Sequence, residues 1–244
     1  KGKAGPPFRK GGSRRTPTDV AASATARFGT AQAWDVMIVQ DISGSFTGAL
    51  EFAKEADHGL VQCLYDHTDG ASSVGLVSFT GAAKLDALLQ PLATGFDLIM
   101  QTLDELNSCC WWFCDGGLNC NTGTNISAGI DLAIDELVAS PGTSVLGQAI
   151  VIVSDGRPQS TSWVPYTDAE LREMAIESAD AAADVGISVF TIYYAGSSST
   201  PEEDAAFLET LVRGDGRYLE TADADRLPSL TWKICASLPP VLVE

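Results

Sequence analysis

Nowhere does this 244-residue chain hold the roughly 20 consecutive apolar residues that a bilayer-spanning helix needs, and no basic-apolar-small leader opens it. A chain starting at Lys1 rather than Met reads as a processed or excised piece, so the missing leader says little about what preceded it. There is no Gly-x-Ser-x-Gly elbow, no Gly-x4-Gly-Lys-Ser/Thr loop and no Gly-x-Gly-x-x-Gly turn. Those gaps remove the usual signatures of serine hydrolases, P-loop nucleotide hydrolases and dinucleotide-dependent oxidoreductases. Histidine is nearly missing: His58 and His67 are the whole supply. Both are expected as solvated residues, on the first helix and just beyond it, away from the sheet end that carries chemistry.

Positive charge is scarce beyond the start. Lys1, Lys3, Arg9, Lys10, Arg14 and Arg15 crowd the first fifteen residues; removing these six charges from the formal −17 leaves the remainder at −23. So acidic a body repels nucleic acid and anionic headgroups and concentrates cations. Neither nucleic acid nor a membrane is therefore expected as a partner.

What is present is ordinary for a globular domain: 45% apolar and 19% charged residues, in a chain long enough for one α/β domain of about 200 residues with flanking segments. Residues 1–18, rich in Gly, Pro and basic charge, read as a flexible tail or linker. Residues 19–32, including the strand-like Ala22–Phe28, read as the end of a preceding β domain. Residues 33–238 form the domain proper, and 239–244 a short extension after Pro239-Pro240. Six cysteines are present. The cluster Cys109-Cys110-x3-Cys114-x5-Cys120 resembles a disulfide framework more than a zinc site, which would pair two Cys-x2–4-Cys knuckles, with free thiols the third possibility. A disulfide framework implies an oxidising compartment.

Strand and helix signals alternate through the domain. Strands are expected at Asp35–Gln40, Val74–Phe79, Gln148–Val153, Ile187–Tyr194 and Tyr218–Glu220, with a partner near Lys84–Leu89 turning back on the second through Thr80-Gly81. Helices are expected at Phe46–Tyr65, Phe96–Leu106, Asn125–Val138, Thr167 or Asp168 (its N-cap) to Gly186, Pro201–Val212 and Asp225–Ser237. This is a doubly wound α/β fold, a mostly parallel sheet with one antiparallel edge strand and helices on both faces.

Three segments carry chemistry. Asp41-Ile-Ser43-Gly-Ser45 follows the apolar run Val36–Val39, Gly123-Thr124-Asn125 opens a helix, and Ser154-Asp155-Gly156 closes a strand. Open α/β sheets bind ligands at the carboxyl ends of their strands. Two carboxylates with hydroxyls form an oxygen-only shell suited to a hard divalent cation such as Mg²⁺, Mn²⁺ or Ca²⁺. An Asp and two Ser at a helix start could instead cap backbone amides, but capping explains neither Thr124 nor Asp155. A haloacid-dehalogenase reading needs a second carboxylate two positions after Asp41, where Ser43 stands.

The three segments, in this order, resemble the metal-ion-dependent adhesion site of the von Willebrand factor A domain family. The resemblance covers about Ala33 to Ser237. It implies a cation held by Asp41, Ser43, Ser45, Thr124 and Asp155, completed by a carboxylate from a protein or surface partner, with Asp41 facing a solvent-filled crevice. It also implies that the first and last helices are neighbours, which would allow a Cys63–Cys235 bridge once the loop cysteines pair among themselves. Trp111, Trp112 and Phe113 are either a local core for the cysteine loop or partner anchors beside the metal; Asp115 is a possible extra cation ligand. The wording Asp35-Val-Met-Ile-Val-Gln-Asp41, the strand-like 22–26 stretch and Cys63 look like the TadG-like proteins of bacterial tight-adherence pili. The expected function is a non-enzymatic, extracytoplasmic adhesion module, secreted or on the cell surface, with pilus or filament subunits among its partners. The alternatives are a scaffold subunit docking on an enzyme or ATPase, and a structural filament subunit.

Overall fold

The alternation of two-faced strands and one-faced helices determines the architecture. A computed structural model describes Lys1 and residues 33–108, 123–139, 145–161, 165–196 and 198–238. The tail beyond Lys1, the strand-like 19–32 stretch and the 239–244 extension lie outside these residues. Among the described residues six strands, β1 (Ala33–Asp41), β2 (Ser73–Phe79), β3 (Ala83–Pro91), β4 (Val145–Ser154), β5 (Ile187–Tyr194) and β6 (Tyr218–Thr221), form one sheet in the order β3-β2-β1-β4-β5-β6. All pairings are parallel except β2 with β3, the antiparallel edge.

Among the described residues six α-helices cover the sheet: α1 (Leu50–Thr68), α2 (Leu92–Glu105), α3 (Ile126–Ala139), α4 (Asp168–Asp184), α5 (Pro201–Glu209) and α6 (Leu227–Ser237). Successive side chains of a strand point to opposite faces, and β1 shows the division. Val36 and Ile38 pack with α1, α2 and α6, while Met37 and Val39 pack with α3, α4 and α5. β4 repeats it, with Val151 and Val153 on the first side and Ile150 and Ile152 on the second. Central strands apolar on both faces are what a doubly covered parallel sheet requires.

Two contacts matter for the site. Gly129 lets α3 press on the end of β1, since a Cβ there would lie 2.7 Å from Val39 Cγ1. On the opposite face, α1 and α6 lie side by side, and Cys63 and Cys235 join them in a disulfide across a sequence separation of 172.

Some boundaries depart from the expected ones. Phe46 lies in a 3₁₀ turn, Gly44–Gly48, because glycine at both ends disfavours an α-helical start; α1 begins at Leu50. α2 begins at Leu92, directly after Pro91, and includes Gly95, which the backbone tolerates and the Gln90 side chain needs: a Cβ would meet that side chain at 2.6 Å. α5 ends at Glu209 and α6 starts at Leu227. The α4 cap is Thr167, in a capping box with Glu170.

Candidate metal centre

Parallel strands bring their carboxyl ends to one edge of the sheet. Gln40 is in register with Val153, so Asp41 and Ser154 emerge side by side where β1 and β4 end. The chain leaves β1 towards β2 and returns on the other side through β4, making this the point where the winding reverses, the usual crevice of open α/β sheets.

Asp41 is fully buried, contrary to the expectation that it faces a solvent-filled crevice. Its Oδ1 accepts from the Ser43 N–H at 2.8 Å and its Oδ2 from the Ser154 hydroxyl at 2.6 Å. The helix-capping alternative is thus met in part: Asp41 satisfies one backbone amide, but Ser43 makes no side-chain cap. The Ser43 and Ser45 hydroxyls lie 3.1 Å apart, and Ser45 Oγ donates to Asp155 Oδ1 at 3.1 Å. Two carboxylates from separate strand ends are therefore linked through Ser43 and Ser45, by the Ser43 amide at Asp41 and by the two hydroxyls from there to Asp155.

Thr124 is delivered from another direction. A two-way backbone bridge with Gln159 holds it, at 2.9 and 3.0 Å, and the Asn125 N–H reaches the Thr80 carbonyl at 2.6 Å. Asn125 Oδ1 then accepts from Ser127 Oγ at 2.7 Å and from the Ala128 N–H at 3.3 Å, starting α3. A cleft of about 210 Å³ opens above, lined by Ser45, Thr124 and Asp155 with Arg157, Ser198 and Asp204. The structure thus brings Ser45, Thr124 and Asp155 to one cleft, with Asp41 and Ser43 buried and linked to it by hydrogen bonds.

The electrostatics are those of crowded carboxylates. Burial pushes Asp41 above the ordinary carboxylate range, against the opposing bonds from Ser154 and Ser43. Asp155 is pushed up to about 7, first by burial and then by the Asp41 charge, with Asp204 adding to the rise and the Ser45 bond opposing it. A divalent cation would relieve both, and every side-chain donor offered is a carboxylate or hydroxyl oxygen, so the donor set fits a hard cation.

Three residues of the surroundings were given no role from sequence. Ser154 orients Asp41 and is adjacent in sequence to Asp155, the signal that was available. Arg157 and Asp204 pair through Arg157 Nε and Asp204 Oδ1; they stand 47 positions apart, and nothing in either local sequence announces the contact.

The other candidates separate clearly. Cys109, Cys110, Cys114, Cys120, Trp111, Trp112, Phe113 and Asp115 lie outside the described residues. His58 is not simply solvated: its Nε2 lies 3.3 Å from both the Met100 carbonyl and Asp104 Oδ1. His67 lies within α1, with Nδ1 2.9 Å from the Cys63 carbonyl and its ring 5.6 Å from that of Trp232. Cys63, His67 and Cys235 are close enough together for a metal, but both sulfurs are consumed in the disulfide. Among the described residues, no helix is long and apolar enough to cross a membrane.

No family model and no curated protein sequence matches the chain. Solved structures do. The von Willebrand factor type A protein from Catenulispora acidiphila superposes with a TM-score of 0.58 at 16% identity, over 84% of this chain and 42% of that one. This chain has a von Willebrand factor A-like fold. The PilB minor pilin from Streptococcus sanguinis shares this A-like fold at a TM-score of 0.63 and 17% identity, over 85% of this chain and 61% of its own. The pilus adhesin SpaC from Lactobacillus rhamnosus GG matches at 0.65 and 14%, over 84% and 30%. The chain thus spans about three fifths of the PilB length and less than half of the other two.

Proposed function

We propose that this chain is a non-enzymatic, cation-dependent adhesion module that works outside the cytoplasm, in a pilus or at a cell surface. The observation that carries it is the linkage of Asp41 and Asp155 through Ser43 and Ser45, two crowded acids both held above their ordinary range. Asp41, Ser43, Ser45, Thr124 and Asp155 would hold Mg²⁺, Mn²⁺ or Ca²⁺. When bound, the ion supplies an electrophilic position for a partner's carboxylate. The protein's own part is to orient the oxygens: Ser154 and the Ser43 amide fix Asp41, Ser45 fixes Asp155, and the Gln159 bridge fixes Thr124.

The pilus proteins of similar fold support a surface setting, and the Cys63–Cys235 disulfide favours an oxidising compartment over a cytosolic scaffold. The narrower form of the proposal is a TadG-like tight-adherence protein, carried by the Asp35–Asp41 wording and Cys63. Partner contact through Trp111, Trp112 or Phe113 is a part of the reading carried by sequence alone.

Isothermal titration with each cation tests it. Wild type should bind one ion. Asp155→Asn and Ser45→Ala, both at partly open positions, should weaken binding by about tenfold or more while the fold survives; a step of that size corresponds to ~1.4 kcal/mol. Absence of binding by folded wild type would overturn the proposal.

A further inference from the structure

Among the described residues lining the cleft, Arg157 is the sole positive charge. Its Nε donates to Asp204 Oδ1, its Nη1 to Glu203 Oε2, and its Nη2 to Thr200 Oγ1 at 2.7 Å. Three of the five N–H donors of a guanidinium are thereby committed, and two are left for other groups. Asp204 is buried, and its second oxygen is also taken: Oδ2 accepts from the Ser198 hydroxyl and, at 3.4 Å, from Thr200 Oγ1. Yet this carboxylate lies against the loop that carries Asp155, since a Cβ on Gly156 would stand only 3.8 Å from Asp204 Oδ2.

Asp204 is therefore a further acid on the wall of the cleft that holds Asp155, one whose oxygens are occupied by other partners. A bare carboxylate there would add negative field to the cleft, strengthening its hold on a cation and repelling an anionic partner. Arg157 has the opposite action on both. Because the side chain is about one-fifth exposed and is held by three acceptors, its charge is fixed in place and only partly screened.

We propose that Arg157 is a specificity-determining residue of the cleft: by occupying Asp204 and Glu203 it trades some cation affinity for the capacity to admit a carboxylate partner. This inference rests on the cation reading given above. It assigns Arg157 no contact with the ion. The recognised chemistry is a carboxylate.

The test uses two probes on the whole chain: Mn²⁺ alone, its free fraction read by electron paramagnetic resonance, and acetate, read as loss of water-proton relaxation enhancement in the Mn²⁺-loaded protein. Arg157→Gln should bind Mn²⁺ roughly three- to tenfold more tightly and acetate more weakly by a similar factor, both effects shrinking in high salt. Asp204→Asn should shift each in the reverse direction, because it removes one of the two negative charges that the guanidinium faces. Arg157→Lys, which keeps the charge and loses the fork, should stay within about twofold of wild type for both probes. A purely structural role for Arg157 would instead weaken both probes together in the Gln and Lys variants, and that result would overturn the inference. If Arg157→Gln does not fold, the reversed shifts of Asp204→Asn decide it; unchanged affinities there also overturn it. Wild type that binds no Mn²⁺ refutes the cation reading itself, whereas wild-type binding with no opposed shifts refutes only the role of Arg157.

Discussion

Asp155 holds its proton at a pH where an ordinary carboxyl has lost it, and the sign of the consequence is fixed. Its pKa is about 7 in the folded chain against an ordinary 3.8, so between those values the folded state binds more protons than the unfolded one. That contribution to stability is complete below the ordinary value and is lost as pH rises through about 7. In a metal chelator, urea unfolding should therefore show about 2 kcal/mol less stability at pH 8 than at pH 5.5 from this group. Saturating Mg²⁺ should reduce or reverse the difference, because the cation takes the place of the proton. A chelated protein equally stable at both pH values would contradict the assignment. Asp57 makes a second residue-scale case: it is fully buried in α1, neither carboxylate oxygen has a hydrogen-bond partner among the described residues, and burial pushes its pKa well up. Asp57→Leu should raise stability by about 1–3 kcal/mol in thermal or urea unfolding, since an apolar side chain needs no partner there. At this scale the positions of the five proposed oxygen donors were legible, because each stands near a strand end or helix start that hydrophobic patterning locates. Neither the full burial of Asp41 nor the isolation of Asp57 was legible, for both depend on which helix covers which strand.

Helices α1 and α6 are the elements where covalent and packing forces coincide. Thr231 Oγ1 bonds the Ala56 carbonyl at 2.7 Å, and Cys63–Cys235 ties the same pair further along. In the chain-entropy model, a link closing so long a loop contributes about 5 kcal/mol, although measured values range widely. Cys235→Ser should lower stability by about 2–5 kcal/mol, seen as a drop in melting temperature. It should also free α6 to move along α1, so cation affinity in the variant reports whether α6 is coupled to the site; an unchanged melt would mean the link contributes nothing in solution. Among the elements, the central strands were the most legible, being apolar runs bounded by turns. Helix starts were less so. The starts of α1 and α2 shift by four residues from the expected ones, and in both cases glycine decides: Gly48 delays α1, while Gly95, which resembles a breaker in sequence, is retained inside α2 by its fit against Gln90.

For the whole molecule, the alternating pattern was enough to anticipate the doubly wound sheet with its antiparallel edge, because strand period, helix period and turn chemistry agree along the chain. The Arg157–Asp204 contact was beyond the reach of pattern, since it joins the loop after β4 to the start of α5 only once both sit at the same sheet edge. The surplus of negative charge beyond the first fifteen residues now has a local expression at that edge, where Asp41, Asp155 and Asp204 converge. The central claim is that this convergence exists to hold a cation. Anomalous diffraction from a crystal grown with Mn²⁺ tests it most directly. The account predicts one strong peak between the β1 and β4 ends, with carboxylate or hydroxyl oxygens among Asp41, Ser43, Ser45, Thr124 and Asp155 at about 2.0–2.6 Å; a peak elsewhere, or none in a crystal soaked to saturation, would contradict it.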